Sequence, residues 1–180
     1  MSTLATIEGL LQNQAGRPPI EKWHPDLSGD IDIRICADGR WIHEGGEIKR
    51  HKLVQLFASI LRREDDGEYY LVTPVEKWRV AVEDLPLLIV DLEVSEATDQ
   101  ERRVVVKTNV DSWFELGSDH PLMVETDPLS GEPSPAVMTE HGLLARVNRA
   151  CFYRLVELAE TQGDRLLLCT AGQSFELGRV

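Results

Sequence analysis

A helix followed by a hairpin occurs twice in this chain, and that repetition constrains its fold more than any other feature. In the first copy Leu53, Val54, Leu56, Phe57, Ile60 and Leu61 recur at i, i+1, i+3, i+4, i+7 and i+8. That spacing gathers one apolar stripe along a helix starting near Arg50. Arg62, Arg63, Glu64 and Asp65 are expected to carry the helix into solvent, and Asp66-Gly67 to form the turn, because glycine tolerates positive φ. Two strands should follow, Tyr69 to Thr73 and Lys77 to Val82. The second alternates Trp78, Val80 and Val82 against Lys77, Arg79 and Ala81, the pattern of a half-buried strand.

The second copy closes the sequence. Arg50 falls on Arg149 at an offset of 99 (149 − 50), carrying Leu53 onto Phe152, Leu56 onto Leu155 and Phe57 onto Val156. Past the turn the offset is 97 (170 − 73), with Thr73 on Thr170, Glu76 on Gln173, Trp78 on Phe175 and Val80 on Leu177. Two residues are therefore lost around Gly163, and a duplicated unit is the expectation, with a shared element order of separate origin as the alternative. A cation stands at both helix starts, where it opposes the helix dipole. Glu44 or Glu47 could neutralise Arg50, or an anionic ligand group could meet these arginines.

Thirty-one acidic residues against nineteen basic ones give a formal charge of −12, and such a surface repels a phosphate backbone at long range. Nucleic acid is not an expected partner. Cys36, Cys151 and Cys169 are far apart, with no C-x-x-C pair, and read as small buried hydrophobes rather than disulfides or zinc ligands. The amino terminus has no basic start, and no window approaches the roughly 18 apolar residues of a membrane span. A cytoplasmic protein without a membrane partner is expected. No G-x-G-x-x-G occurs, Gly45-Gly46 lacks a following Lys-Ser or Lys-Thr, and no H-x-x-x-H or H-x-H pair exists. These absences exclude the common nucleotide loops and a histidine-rich metal site, and leave the cofactor unknown.

Along the chain, Leu4, Ile7, Leu10 and Leu11 behind Ser2 or Thr3 predict a short helix within residues 1–19. Asp30, Asp32 and Arg34 alternate with Ile31, Ile33 and Ile35, a strand with a charged face. Turns at Asp38-Gly39 and Gly45-Gly46 complete a three-stranded meander ahead of the helix. Asp84-Leu85-Pro86 marks a boundary, giving a first lobe at 20–84 and a second, β-rich lobe at 85–180. In the latter, Pro86 to Val94, Arg102 to Thr108, Ser112 to Leu116, Pro121 to Glu125, Val137 to Met138 and Leu143 to Val147 are strand candidates. Turns are expected at Ser95 to Gln100, Asn109 to Asp111 and Gly117 to His120, and a surface loop over Asp127 to Pro135.

A series of words in this order resembles the bacterial domain of unknown function family 1285. They are Gly29 to Arg34, Asp38 to Trp41, Leu53 to Arg62, Asp66-Gly67, Leu71 to Lys77, Thr108-Asn109, His120-Pro121-Leu122 and Gly131-Glu132-Pro133. The resemblance spans nearly the whole chain. It implies an α+β fold of two lobes, each a small antiparallel sheet or partial barrel with a helix-hairpin unit, the second superficially pleckstrin-homology-like. It also implies a pocket between the halves for a small polar or nucleotide-like ligand, in signalling or a stress response.

Three groups of residues could line such a pocket. Asp30, Asp32 and Arg34 share one strand face, and carboxylates two residues apart could hold a cation or share a proton; the plainer reading is a solvated face. Thr73, Glu76 and Lys77 put a hydroxyl, a carboxylate and an ammonium into one turn, whose plainer reading is a hairpin corner set by Pro74. Asn109, Asp111 and His120 lie in turns of the second lobe. If they converge, Arg34 and Lys77 would meet an anionic group and Thr73 and Asn109 neutral ones, while Asp30 or Asp32 would accept protons or hold a cation. An enzyme using Asp30 or Asp32 on a small metabolite, and a protein-interaction module built on the second lobe, are the alternatives.

Overall fold

The computed structural model describes residues 7–9, 17–96 and 101–180. The chain divides into two compact units, Met1–Pro86 with His141–Leu143, and Leu87–Glu140 with Leu144–Val180. The first contains β1 (Gly29–Ile35), β2 (Trp41–His43), β3 (Gly46–Glu47), α1 (His51–Ser59), β4 (Leu61–Arg63), β5 (Tyr69–Val72) and β6 (Lys77–Val82). The second contains β7 (Leu87–Glu96), β8 (Arg102–Thr108), β9 (Trp113–Glu115), β10 (Leu122–Thr126), β11 (Pro133–Met138), β12 (Leu144–Val147), α2 (Arg149–Leu158), β13 (Glu160–Gln162), β14 (Arg165–Thr170) and β15 (Gln173–Arg179).

Each unit holds a six-stranded sheet, ordered β3-β2-β1-β6-β5-β4 in one and β10-β11-β12-β7-β8-β9 in the other. Two antiparallel three-stranded runs meet in the middle of each sheet through one parallel pair, β1 with β6 and β12 with β7. The first and last strands of each six therefore lie side by side and run parallel, which requires a crossover between the two runs. On β1 the charged face is exposed as expected, while Ile33 and Ile35 are buried.

The hairpin register repeats from the turn as far as Tyr70-Arg79 and Leu167-Glu176, beyond which a bulge moves Leu166 onto Gly178 where Tyr69 pairs with Val80. Leu71 faces Trp78 in the first hairpin and Leu168 faces Phe175 in the second; Tyr70 opposes Arg79 where Leu167 opposes Glu176. Both aromatics are half-buried, and the next residues on that face, Val80 and Leu177, are buried. The two missing residues are lost at separate places. Arg62 pairs with Tyr70 and Glu160 with Leu167, so the offset has already fallen to 98 (160 − 62) at the helix-to-strand junction. The second loss is in the turn, where Gly163-Asp164 replaces Asp65-Asp66-Gly67.

Several expectations are corrected. The first helix does not run into solvent through Arg62 to Asp65: it ends at Ser59, and Leu61–Arg63 is a strand. Ile60 and Leu61 are fully buried, so one apolar run serves the helix end and the strand start and hides the junction between them. Leu53 and Leu56 are only half-buried, leaving Phe57 as the fully buried residue of α1. Cys169 is exposed on β14, between buried Leu168 and Thr170, although Cys36 and Cys151 are buried. The partner of Arg50 is Glu8, at 3.3 Å, and not Glu44 or Glu47. Within the predicted loop, Pro133 to Pro135 belong to β11, and only Asp127 to Glu132 make the connection. Of the amino-terminal helix, Ile7 to Gly9 are helical with Ile7 buried, while Ser2, Thr3, Leu4, Leu10 and Leu11 lie outside the described residues. The Ser95 to Gln100 turn falls outside them from residue 97 onward, Ser95 and Glu96 belonging to β7. No helix among the described residues is long and apolar enough to cross a membrane.

Candidate functional site

Most of the residues singled out from the sequence find partners within their own unit, Asp32 and Glu76 being the exceptions among the described residues. Asp30 forms an ion pair with Arg79 at 2.9 Å across the parallel β1-β6 pair, Arg34 lies 3.4 Å from Glu83, and Asp32 is exposed. Thr73 is fully buried; its Oγ1 accepts the Glu76 N–H at 3.0 Å and the Val75 N–H at 3.3 Å, which closes the turn on itself. The Glu76 Oε2 is buried with no hydrogen-bond partner among the described residues. Lys77 donates to Glu64 at 2.8 Å and lies 4.7 Å above the Tyr70 ring.

Lys77 thereby joins a polar network at the β4 edge. Arg62, only 13% exposed, donates to the Ile20 and Trp23 carbonyls and to Glu64, tying the segment ahead of β1 to the sheet. Burial pushes the Glu64 carboxyl up, but hydrogen bonds and charge from Lys77 and Arg62 outweigh it and hold the pKa below the ordinary value. The Tyr70 hydroxyl donates to Asp66, which raises the phenol pKa to about 12.

In the second unit the Asn109 Oδ1 accepts the Leu88 N–H at 3.0 Å, and Asp111, at a φ of 64°, pairs with Lys107 at 3.3 Å. Both belong to the β8-β9 turn. The His120 Nδ1 is 3.1 Å from the Met138 carbonyl and 3.2 Å from that of Thr139. Two carbonyls can only accept, so Nδ1 carries the proton. His120 is therefore held at the end of β11, apart from the Asn109 turn in its bonding, with its ring tilted against Phe114.

A pocket of about 290 Å³ lies at the start of α2, on residues that the sequence reading had largely passed over. Its origin is a strand left uncovered. β11 pairs with β10 from Pro133 to Val137, but with β12 only from Ala136 to Met138. Past Val147 the chain turns away at Asn148 into α2, so the β12-facing edge of Pro133 to Pro135 has no paired strand among the described residues. The Pro135 carbonyl accepts from the Arg146 Nη1 at 3.3 Å and so faces that edge. The proline nitrogens face it too, because a strand residue presents its N and O to the same side in an antiparallel ladder. No donor is wasted there, which is where proline is tolerated in a sheet.

The other wall comes from the first turn of α2. Asn148 caps the helix, its Oδ1 accepting the Cys151 N–H at 2.8 Å, and this fixes where Arg149, Phe152 and Tyr153 project. Phe152 is buried and Tyr153 is 59% exposed. Arg146 and Arg149 supply two cations, and Glu132, at 3.9 Å from Arg149, the one carboxylate among the lining residues. Such a pocket can enclose a small apolar body and neutralise an attached anion. The available signal was Arg146-x-Asn148-Arg149 entering the helix, a cap flanked by cations, together with Glu132-Pro133-Ser134-Pro135. Of the lining residues the sequence marks only Arg149, as a cation that an anionic ligand could meet.

Models of the N-terminal and C-terminal domains of a protein of unknown function, DUF1285, match residues 18–85 and 86–177. The chain belongs to the DUF1285 family. A DUF1285 family protein from Silicibacter pomeroyi DSS-3 has a similar crystal structure, with 37% identity and a TM-score of 0.89 over 99% of this chain and 96% of that one. Another from Shewanella baltica OS155 is 35% identical with a TM-score of 0.55, over 71% of this chain and 91% of that one. No curated protein matches. Membership in DUF1285 accounts for the two-unit α+β arrangement, so any function has to be argued from the site.

Proposed function

We propose that this protein is a binding protein for a small anionic ligand, taken into the pocket at the start of α2. The observation that carries the reading is the meeting of two arginines with Phe152, Tyr153 and two prolines around one cavity. The internal repeat supports it. At the offset of 99, Glu47 stands where the pocket has Arg146, Leu53 stands for Phe152 and Val54 for Tyr153. Arg50, the counterpart of Arg149, is already paired with Glu8. The scaffold is repeated but this chemistry is not, which favours a role acquired by one copy over a requirement of the fold. Signalling, a nucleotide-like ligand and the pleckstrin-homology-like second half rest on the family resemblance, and residence in the cytoplasm on the dispersed cysteines and the amino-terminal sequence; all belong to this proposal.

A second reading keeps the ligand on the residues read from the sequence, Asp30 to Arg34, Thr73 to Lys77 and Asn109 to His120. In its favour stands the buried Glu76 oxygen, an acceptor with no donor among the described residues. Thermal-shift titration with a panel of small organic anions separates the two. Stabilisation should vanish in Arg149→Gln and persist in Arg50→Gln and Glu76→Gln; dependence on Glu76 instead would transfer the site to the first unit.

A further inference from the structure

We propose that the α2 pocket selects phosphate monoesters of small aromatic or apolar bodies over the corresponding carboxylates. The inference rests on the ligand-binding reading above and adds the class of anion. Its basis is Glu132, a carboxylate already standing beside Arg149 in the pocket lining. Glu132 approaches Arg149 to 3.9 Å, and both side chains are well exposed, at 67% and 73%. The pair is loose, with a separation too long for a hydrogen bond.

Glu132 is nevertheless fixed to the pocket wall through its backbone. Its N–H donates to the Ser130 Oγ, its carbonyl accepts from Asp127, and the next residue starts β11. A tethered group competes at an effective concentration on the order of millimolar. A free monocarboxylate brings to Arg149 the same charge and the same two oxygens that Glu132 already offers, so it gains little by replacing it. A phosphate monoester carries up to two negative charges and three acceptor oxygens, enough to engage both Arg146 and Arg149. The carboxylate of Glu132 then works as a filter that weak anions do not pass. The organic part is limited by the cavity, whose volume of about 290 Å³ lies at the small end of ligand pockets. Its walls, the Pro133 and Pro135 rings on one side and Phe152 and Tyr153 on the other, suit a flat or apolar group and supply few partners for a polar one.

Titration calorimetry with phenyl phosphate, benzoate and inorganic phosphate on the full chain tests this, using wild type, Glu132→Gln and Arg149→Gln. Phenyl phosphate should bind about tenfold or more tightly than benzoate, and more tightly than inorganic phosphate. Glu132→Gln should improve benzoate severalfold and so narrow the gap. Arg149→Gln, at an exposed position and checked for an unchanged unfolding temperature without ligand, should weaken phenyl phosphate about tenfold or more. Equal binding of benzoate and phenyl phosphate, both dependent on Arg149, overturns the selectivity and leaves the binding function standing. A gap that Glu132→Gln does not narrow overturns the filter. Failure of all three anions to bind, or binding indifferent to Arg149, overturns the site itself.

Discussion

The two helix starts lie one residue apart in the repeated unit, since Arg50 is the N-cap residue of α1 while its counterpart Arg149 is the first residue of α2, and they have become different objects. Before α2, Asn148 satisfies a backbone donor and the helix buries Cys151, Phe152 and Leu155. Before α1, Arg50 offers no side-chain cap, and Phe57 is the buried residue of the helix. Beyond the helices the hairpins keep one register near the turn, yet β6 is built into a six-stranded sheet through β1, whereas β13-β14-β15 form a sheet of their own. Thr73 and Thr170 share a register position and are both buried. Thr73 closes its own turn, and Thr170 reaches out to the Val104 N–H at 2.9 Å. Backbone pairing near the hairpin turn is thus what the two copies share, and side-chain partners are what varies there. A cross-strand register cannot shift by one residue without reversing every side chain, while a cap, an ion pair or a buried hydroxyl can be exchanged singly.

The largest separation between the copies should appear in their leucines. Leu155 is fully buried, so Leu155→Ala should cost about 2 to 5 kcal/mol in urea denaturation, from lost transfer energy and a residual cavity. Its counterpart Leu56 is half-buried, and Leu56→Ala should cost about half as much or less. Equal losses would mean that both helices depend on their apolar faces alike.

Next come the threonines. Thr170→Val leaves the Val104 N–H buried without an acceptor and should cost about 1 to 3 kcal/mol. Thr73→Val frees two turn N–H groups, and one of them belongs to Val75, a residue 70% exposed and within reach of water. Its cost should be smaller, about 1 kcal/mol or less. A reversed order in thermal or chemical unfolding would show that Thr73 supports more than its turn.

Capping should give a change of opposite sign in the two copies. Asn148→Ala should destabilise by about 1 kcal/mol, whereas Arg50→Asn, which installs a cap on α1, should stabilise by a few tenths up to about 1 kcal/mol. If Arg50→Asn destabilises, the Glu8 contact outweighs the missing cap.

The smallest effect concerns acid. The folded-state pKa of Glu64 lies below its ordinary value of 4.5, so its contribution to stability is complete above that value and is lost as pH falls through the folded pKa. Gln162 holds the corresponding turn position in the second copy and contributes nothing of this kind. Replacing Glu64 by Gln should flatten the pH dependence of stability below about pH 4.5 by at most about one proton. An unchanged slope would remove Glu64 from the acid response.

Much of this architecture could be read from periodicity. The two helices and two hairpins, the meander ahead of α1, and the strands of the second unit were legible because each combines a clear apolar period with turn residues. The junction after α1 was not, because Ile60 and Leu61 continue the helical apolar run while already serving the sheet. Nor were the parallel pairs, which bring together strands far apart in sequence. The pocket was the least legible feature, since Pro133 to Pro135 look like loop and only the sheet register shows that they border a gap. Arg79 was read only as the polar side of a strand, and nothing local announces that Asp30 finds it across β1 and β6.

The uncovered edge of β11 has a consequence for how this protein behaves among copies of itself. An open strand edge invites another chain to add a strand, and repeated additions lead to aggregation. Pro133 and Pro135 present ring carbons where a newcomer would look for N–H donors, so the edge cannot template a ladder. A gap kept open by prolines can remain a pocket in a crowded solution, because molecules small enough to fit can enter it while neighbouring strands find nothing to pair with.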